Sequence, residues 1–328
     1  MLTVYAAAEK GLHPVPEAGG RTECPPDAVW IDLFNPTAEE DALVESWLEI
    51  DVPSREEMRE IEISSRLYEE DGAVFMTILA LVNSDQKHVG TTDVTFILKD
   101  RMLVTVRHED PRPFAQFLQR APKLGPACRN GDFVFIGLLE AFIDRIADVL
   151  EHAGLDTEAI ANEIFERGSA DSRPMKTQDF KATVARIGRA GDLTSKARES
   201  LVTISRLLVF LSTGPGAVKL SKDVRIHAKT AVRDANQLSD HASYLSNKTV
   251  FLLDATMGLI NIEQTNIIKI FSVAAVAMMP PTLIASVYGM NFEFMPELDE
   301  KWGYPVVLVL MVLSALAPYL YFKRKGWL

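Results

Sequence analysis

The pattern of apolar and polar positions changes character twice along the chain. Over residues 1–125, short apolar runs rich in β-branched and aromatic residues alternate with polar turns, so that Ala28–Phe34, Gly72–Val82, Asp93–Asp100 and Arg101–His108 each predict a strand. Between the first two, "PTAEEDALVESWLEI" carries the 3.6-residue period of a helix, with Asn35 as its cap and Pro36 in its first turn. From Gly131 the period becomes helical throughout. One helix is predicted from Gly131 to Arg167, closed by "SADSRP", and a second from Met175 to Leu211, closed by "STGPGA". A third begins near Lys219 and meets no stop signal before Pro280. At helical rise, a run from there to Tyr288 would extend about 100 Å, which is a stalk rather than an element of a globular domain.

The end of this third helix is where the pattern becomes that of a membrane. No charged side chain occurs from Ile270 to Tyr288 or from Tyr304 to Phe322. Each run is close to the ~20 residues that cross the hydrocarbon as a helix. Lys269 precedes the first run and Lys323, Arg324 and Lys325 follow the second, whereas the intervening loop carries Glu293, Glu297, Asp299 and Glu300 against Lys301. The positive-inside rule places that loop outside and both chain ends in the cytoplasm. Trp302, Tyr304, Tyr319, Tyr321 and Trp327 fall where interfacial aromatic belts sit. The opening "MLTVYAAAEKG" has neither the basic n-region nor the apolar core of a cleaved signal.

The pattern therefore predicts an α+β membrane protein. A cytoplasmic α/β domain spans residues 1–125 and a long helical hairpin residues 126–215. A stalk helix over 216–288 is continuous with the first span at about 270–288. An outer loop covers 289–303, a second span 304–322 and a basic tail 323–328.

Composition adds two restrictions. Most of the formal charge of −11 falls on the part assigned to the cytoplasm, which disfavours nucleic acid as a partner and favours cations. Cys24 and Cys128 stand alone, with no CxxC spacing to support a disulfide framework or a zinc-thiolate site. There is no Walker lysine motif, no glycine-rich phosphate loop and no HExxH pair.

The stalk also carries a heptad. Leu238, Leu245, Leu252 and Leu259 recur every seven residues beside a line of small residues, Ala235, Ala242, Thr249 and Thr256. Such a stripe packs against other helices at close range. An intrachain hairpin seam and self-association around an axis want the same pattern.

The stretch "YGMNFEFMPEL", running through "GYP" to "APYLYFKRKGWL", closely resembles the CorA family of magnesium transport proteins over about Asn261 to Leu328. The order of head, hairpin and stalk is similar to that family over the rest. The resemblance implies a homopentameric funnel in the bacterial inner membrane, with first spans around a pore and second spans outside them. Tyr288, Gly289, Met290 and Asn291 would form the selectivity filter. A ring of neutral amide oxygens can accept hydrogen bonds from the waters of a hydrated Mg²⁺, which gives up its shell reluctantly.

Glu297 of "MPEL", with Glu293, would concentrate cations at the outer mouth. Thr282, Met279 and Phe271 match pore-facing positions of the family, and with Ala275 and Ile268 they share one helix face. Met279 and Phe271 would constrict the pore and Thr282 would form a polar ring. The lower polar ring is left among Thr265, Asn266 and Asn261. Pro280-Pro281 removes backbone donors in mid-span and should bend or loosen the helix.

The resemblance also implies closure by cytoplasmic Mg²⁺ bridging carboxylates of neighbouring subunits. The candidates are Asp85 or Asp93 in the head, paired with Asp223 or Asp234 on the stalk. The resemblance implies a transport protein, not an enzyme, that needs no cofactor and takes up Mg²⁺ passively, with Co²⁺ and Ni²⁺ as further ions. With no Asp, Glu, His, Lys or Arg in either span for a proton relay, the membrane potential is the expected drive. Two alternatives stay open: a zinc transporter of the same fold, and a scaffold or sensor for which the two spans are only an anchor.

Overall fold

In the computed structural model the described residues are 1–8, 11–16, 19, 23–84, 89–124, 130–167, 177–213, 220–290 and 301–327. They divide into two compact units, Met1–Leu253 and Asp254–Leu328.

The first unit is built on a seven-stranded sheet of order β2-β1-β3-β7-β6-β5-β4. Its strands are β1 (Leu2–Ala8), β2 (Gly11–Pro14), β3 (Ala28–Phe34), β4 (Leu67–Glu70), β5 (Ala73–Val82), β6 (Gly90–Lys99) and β7 (Met102–Arg107). β3 and β7 pair in parallel, and the remaining neighbours are antiparallel. The strands that periodicity marks are the central ones, because both of their faces are buried and their residues are apolar almost throughout. β1, β2 and β4 escape that reading. They are edge or near-edge strands of alanine-rich or acidic sequence ("LTVYAAA", "LYEE"), held by backbone pairing rather than by two apolar faces. β4 turns into β5 at Asp71-Gly72, both left-handed (φ 50° and 72°), which is the two-residue hairpin geometry that Asp-Gly favours.

Alternate residues of the sheet feed two cores. Trp30, Met76, Ile78, Phe96 and Leu103 face one side, which is covered by the long helices, whereas Ile31, Leu33, Phe75, Ile97, Val104 and Val106 face Val44 and Met58 on the other. These last two belong to short helices α1 (Ala38–Leu48) and α2 (Arg55–Met58), followed by α3 (Ile63–Arg66). α1 is capped by Thr37 and not by Asn35 as its sequence suggested. The Thr37 hydroxyl accepts from the Glu40 amide while the Glu40 carboxylate accepts from Thr37 N, a complete capping box. Asn35 is instead left-handed at φ 45° and turns the chain out of β3.

The long-helix face is formed by α4 (Arg112–Leu124), α5 (Gly131–Arg167), α6 (Thr177–Thr213) and the start of α7 (Lys222–Tyr288). α5 starts at Gly131 as its pattern predicts, and α7 starts three residues later than expected. A single core runs from the sheet through Phe114, Phe135, Phe142, Leu201 and Leu208 to Ala235 and Leu245 of α7, so the sheet and the helical hairpin share one interior. The heptad of α7 is used here as an intrachain seam. Ala235, Ala242, Leu245, Thr249 and Leu252 are buried, and a Cβ on Gly154 of α5 or Gly191 of α6 would touch Leu245 or Thr249 at 3.8 and 3.6 Å. The opposite side of α7 leaves Tyr244, Val250 and Phe251 exposed.

The second unit contains the remainder of α7 and α8 (Gly303–Arg324). Both helices are long and apolar enough to cross a bilayer, and their side chains are exposed almost everywhere.

Candidate ion pathway

α7 remains helical through Pro280 and Pro281 and ends at Tyr288. The prolines remove the donors that the carbonyls of Val276 and Ala277 would otherwise receive, yet the chain keeps its helical course. At the end, Gly289 N donates to Ala285 O at 3.0 Å and Met290 N to Val287 O at 3.3 Å, a tightened last turn. A Cβ on Gly289 would lie 2.9 Å from the Ala285 carbonyl oxygen, so this turn closes as it does only because the position has no side chain. The structure thus places Tyr288, Gly289 and Met290 where the first span ends. Asn291, Glu293 and Glu297 lie outside the described residues.

Below that turn, Phe271 and Met279 are exposed large apolar residues. Thr282 Oγ1 donates to Met278 O at 2.7 Å, and Thr265 Oγ1 donates to Asn261 O at 2.8 Å. In each threonine the hydroxyl proton is committed to the helix backbone. The oxygen then presents lone pairs outward and can act only as an acceptor. Oxygen acceptors of this kind suit the water protons of a hydrated divalent cation.

The carboxylates expected to sense cytoplasmic ions are not gathered in one chain. Asp85 lies outside the described residues. Asp93, on β6, is engaged by Arg66 Nη2 at 3.0 Å. Burial pushes its carboxyl above the usual carboxylate range, opposed by Arg66 and Arg59. Asp223 is exposed in the first turn of α7, and Asp234 lies 3.8 Å from Arg233. Those two aspartates are about 16 Å apart along the helix by its rise. Among the described residues no group of three or more His, Cys, Asp or Glu could hold a metal ion. His227, one of the scattered histidines, has Nδ1 2.8 Å from Glu140 Oε1.

The pairing of Arg66 with Asp93 was not foreseen. The two residues are separated by 27 positions and lie on different elements, so no local spacing signals their contact. A buried cluster elsewhere in the sheet is equally silent in sequence. Arg107 binds Asp32 through Nε and Nη2, and its guanidinium lies 4.4 Å from the ring centre of Phe34 and 4.3 Å from that of Phe114. It braces the end of β7.

The family model described as CorA-like Mg²⁺ transporter protein matches residues 26–324. The magnesium transport protein CorA of Salmonella typhimurium is 36% identical over 302 residues, covering 92% of each chain. Among solved structures, the complete CorA magnesium transporter of Methanocaldococcus jannaschii aligns with a TM-score of 0.79 at 18% identity, over 100% of this chain and 99% of that one. The cytoplasmic domain of ZntB from Vibrio parahaemolyticus shares the fold with a TM-score of 0.57 at 9% identity, over 79% and 97%. By the extent of the family match and the identity to curated relatives, the chain belongs to the CorA-like Mg²⁺ transporter family, a family of membrane proteins that transport Mg²⁺.

Proposed function

We propose that the chain is a passive Mg²⁺ channel driven by the membrane potential, with Co²⁺ and Ni²⁺ as further permeant ions. It works as a homopentamer in the bacterial inner membrane with both termini cytoplasmic. The observation that carries the proposal is that α7 ends at Tyr288, directly before Gly289, Met290 and Asn291 in the sequence, after a span without one Asp, Glu, His, Lys or Arg. Inward movement of a divalent cation gains about 2 × 2.3 kcal/mol per 100 mV. That is sufficient for uptake without a second energy source.

In this reading Tyr288, Gly289, Met290 and Asn291 form the filter, and Glu293 and Glu297 raise the cation concentration at its mouth. Thr282 and Thr265 offer acceptor oxygens to the hydrated ion, while Met279 and Phe271 close the pore by dewetting. The exposed Tyr244 and Val250, on the side of α7 away from the intrachain seam, support self-association. Cytoplasmic Mg²⁺ bound between subunits would close the channel, with Asp85, Asp93, Asp223 and Asp234 as candidate ligands. Asp93 could serve only after leaving Arg66.

The test is Mg²⁺ flux into proteoliposomes holding an indicator dye under an imposed potential. Asn291→Ala should abolish selective uptake, and unchanged uptake would remove the filter assignment. The second reading is a zinc transporter of the same fold. Flux measured with Mg²⁺, Co²⁺ and Zn²⁺ in competition separates the two, since a Zn²⁺ transporter would keep its flux in excess Mg²⁺.

A further inference from the structure

The C-terminal end of α8 is folded more tightly than a basic tail requires. Lys325 N donates to Tyr321 O at 3.1 Å, Gly326 N to Lys323 O at 3.2 Å and Trp327 N to Phe322 O at 3.1 Å. Gly326 is left-handed at φ 70°. The last two bonds with this glycine make a Schellman turn, and its usual apolar contact is present. Trp327 returns over Phe322 with ring centres 5.0 Å apart at 29°, and Tyr321 meets Phe322 edge-on at 5.5 Å. Lys325 Nζ lies 5.4 Å from the centre of the Tyr321 ring.

Two consequences follow. First, backbone amides satisfy the carbonyls of Tyr321, Phe322 and Lys323, so the cationic side chains are not needed to cap the helix. Second, α8 contains no acidic residue, and Lys323, Arg324 and Lys325 are exposed with no carboxylate partner among the described residues. Among the described residues the turn therefore holds three cations without a carboxylate partner around a compact aromatic cluster, at the end of a helix able to span a bilayer. Aromatic rings of this kind settle at the headgroup level, and cations there attract anionic lipid.

We propose that this turn is a binding site for the headgroup of an anionic phospholipid, with the phosphodiester held by Lys323, Arg324 and Lys325 and the glycerol region packed on Trp327 and Phe322. A zwitterionic lipid carries its own cation and would gain little. Gly326 is the positioning residue: without the left-handed turn, the same charges remain but Trp327 no longer folds back. The site requires only that α8 spans the membrane and is independent of whether the protein conducts ions.

The full chain, extracted from vesicles of equal phosphatidylglycerol and phosphatidylcholine, is examined by native mass spectrometry for retained lipid. The wild type should retain phosphatidylglycerol in roughly tenfold excess or more, falling steeply with added salt. Replacing Lys323, Arg324 and Lys325 together by Gln should bring the ratio near one. Gly326→Val keeps every charge but disfavours the turn, since no neighbour lies within 4 Å of a Cβ there and only the backbone angle is strained; it should reduce the excess severalfold. A wild-type ratio near one overturns the site whatever the variants do. An unchanged excess in Gly326→Val overturns the folded turn and leaves only a basic tail.

Discussion

Arg66 and Asp93 meet at 3.0 Å across the β4 side of the sheet, both side chains largely buried, at 16% and 15% exposure. Asp93 is thus already satisfied by a protein cation. Any divalent ion that uses it must first displace a guanidinium.

Arg66→Gln should destabilise the protein by roughly 2 kcal/mol at neutral pH, because a largely buried carboxylate is left without its cation. The Asp93 carboxyl is already raised by burial, and losing Arg66 raises it further. For a carboxyl whose folded value lies above the unfolded one, stability falls as pH rises through that folded value. The penalty should therefore shrink on acidification toward the carboxylate range. Thermal unfolding in detergent at pH 7.5 and pH 5 measures this, and a pH-independent penalty would contradict it.

His108 should give the opposite slope. Burial lowers its pKa from 6.5, with Arg55 and Arg59 adding to the effect, and its Nε2 is buried with no hydrogen-bond partner. A histidine depressed in the folded state costs stability as pH falls through its unfolded value toward the folded one. Between pH 7.5 and 5.5 the midpoint of unfolding should drop, and His108→Gln should remove part of that drop.

Arg107→Met should be among the most damaging single changes in the head, at about 3–5 kcal/mol. It strips the cation from Asp32, which is 5% exposed and also accepts from Thr105 Oγ1 at 2.7 Å. Arg107→Lys should recover little, since one ammonium cannot reproduce the Nε and Nη2 contacts or the stacking between Phe34 and Phe114. Folded yield and unfolding midpoint report both.

Two glycines of the long helices should respond in opposite directions. A Cβ at Gly131 would run into the backbone of Leu103 and lie 2.7 Å from Arg101 O, whereas at Gly188 it would meet nothing within 4 Å. Gly131→Ala should therefore break the junction of β7 and α5 and cost several kcal/mol. Gly188→Ala should raise stability by up to about 1 kcal/mol through helix propensity alone. Equal effects would show that the close approach at Gly131 is not tight.

The two spans, the position of Gly289 and Met290 directly after the first, the start of α5 and the central strands β3, β5, β6 and β7 are all legible in the residue pattern. Each of these is written locally, as an unbroken apolar run, a helical period or a buried strand bounded by turns. What covers each face is settled by the fold. The stripe through Ala235, Ala242 and Leu245 shows that α7 has a packed side, but a periodic stripe is the same whether the cover is α5 and α6 or another copy of the chain. The cap at Thr37 depended on Asn35 being taken into a left-handed turn, and the edge strands β1, β2 and β4 on backbone pairing that side chains do not advertise. Asp93 looked like any other surface carboxylate because its partner, Arg66, is brought to it by the fold. Ion pairs between distant residues follow from where the backbone runs, and one-dimensional spacing carries no record of that.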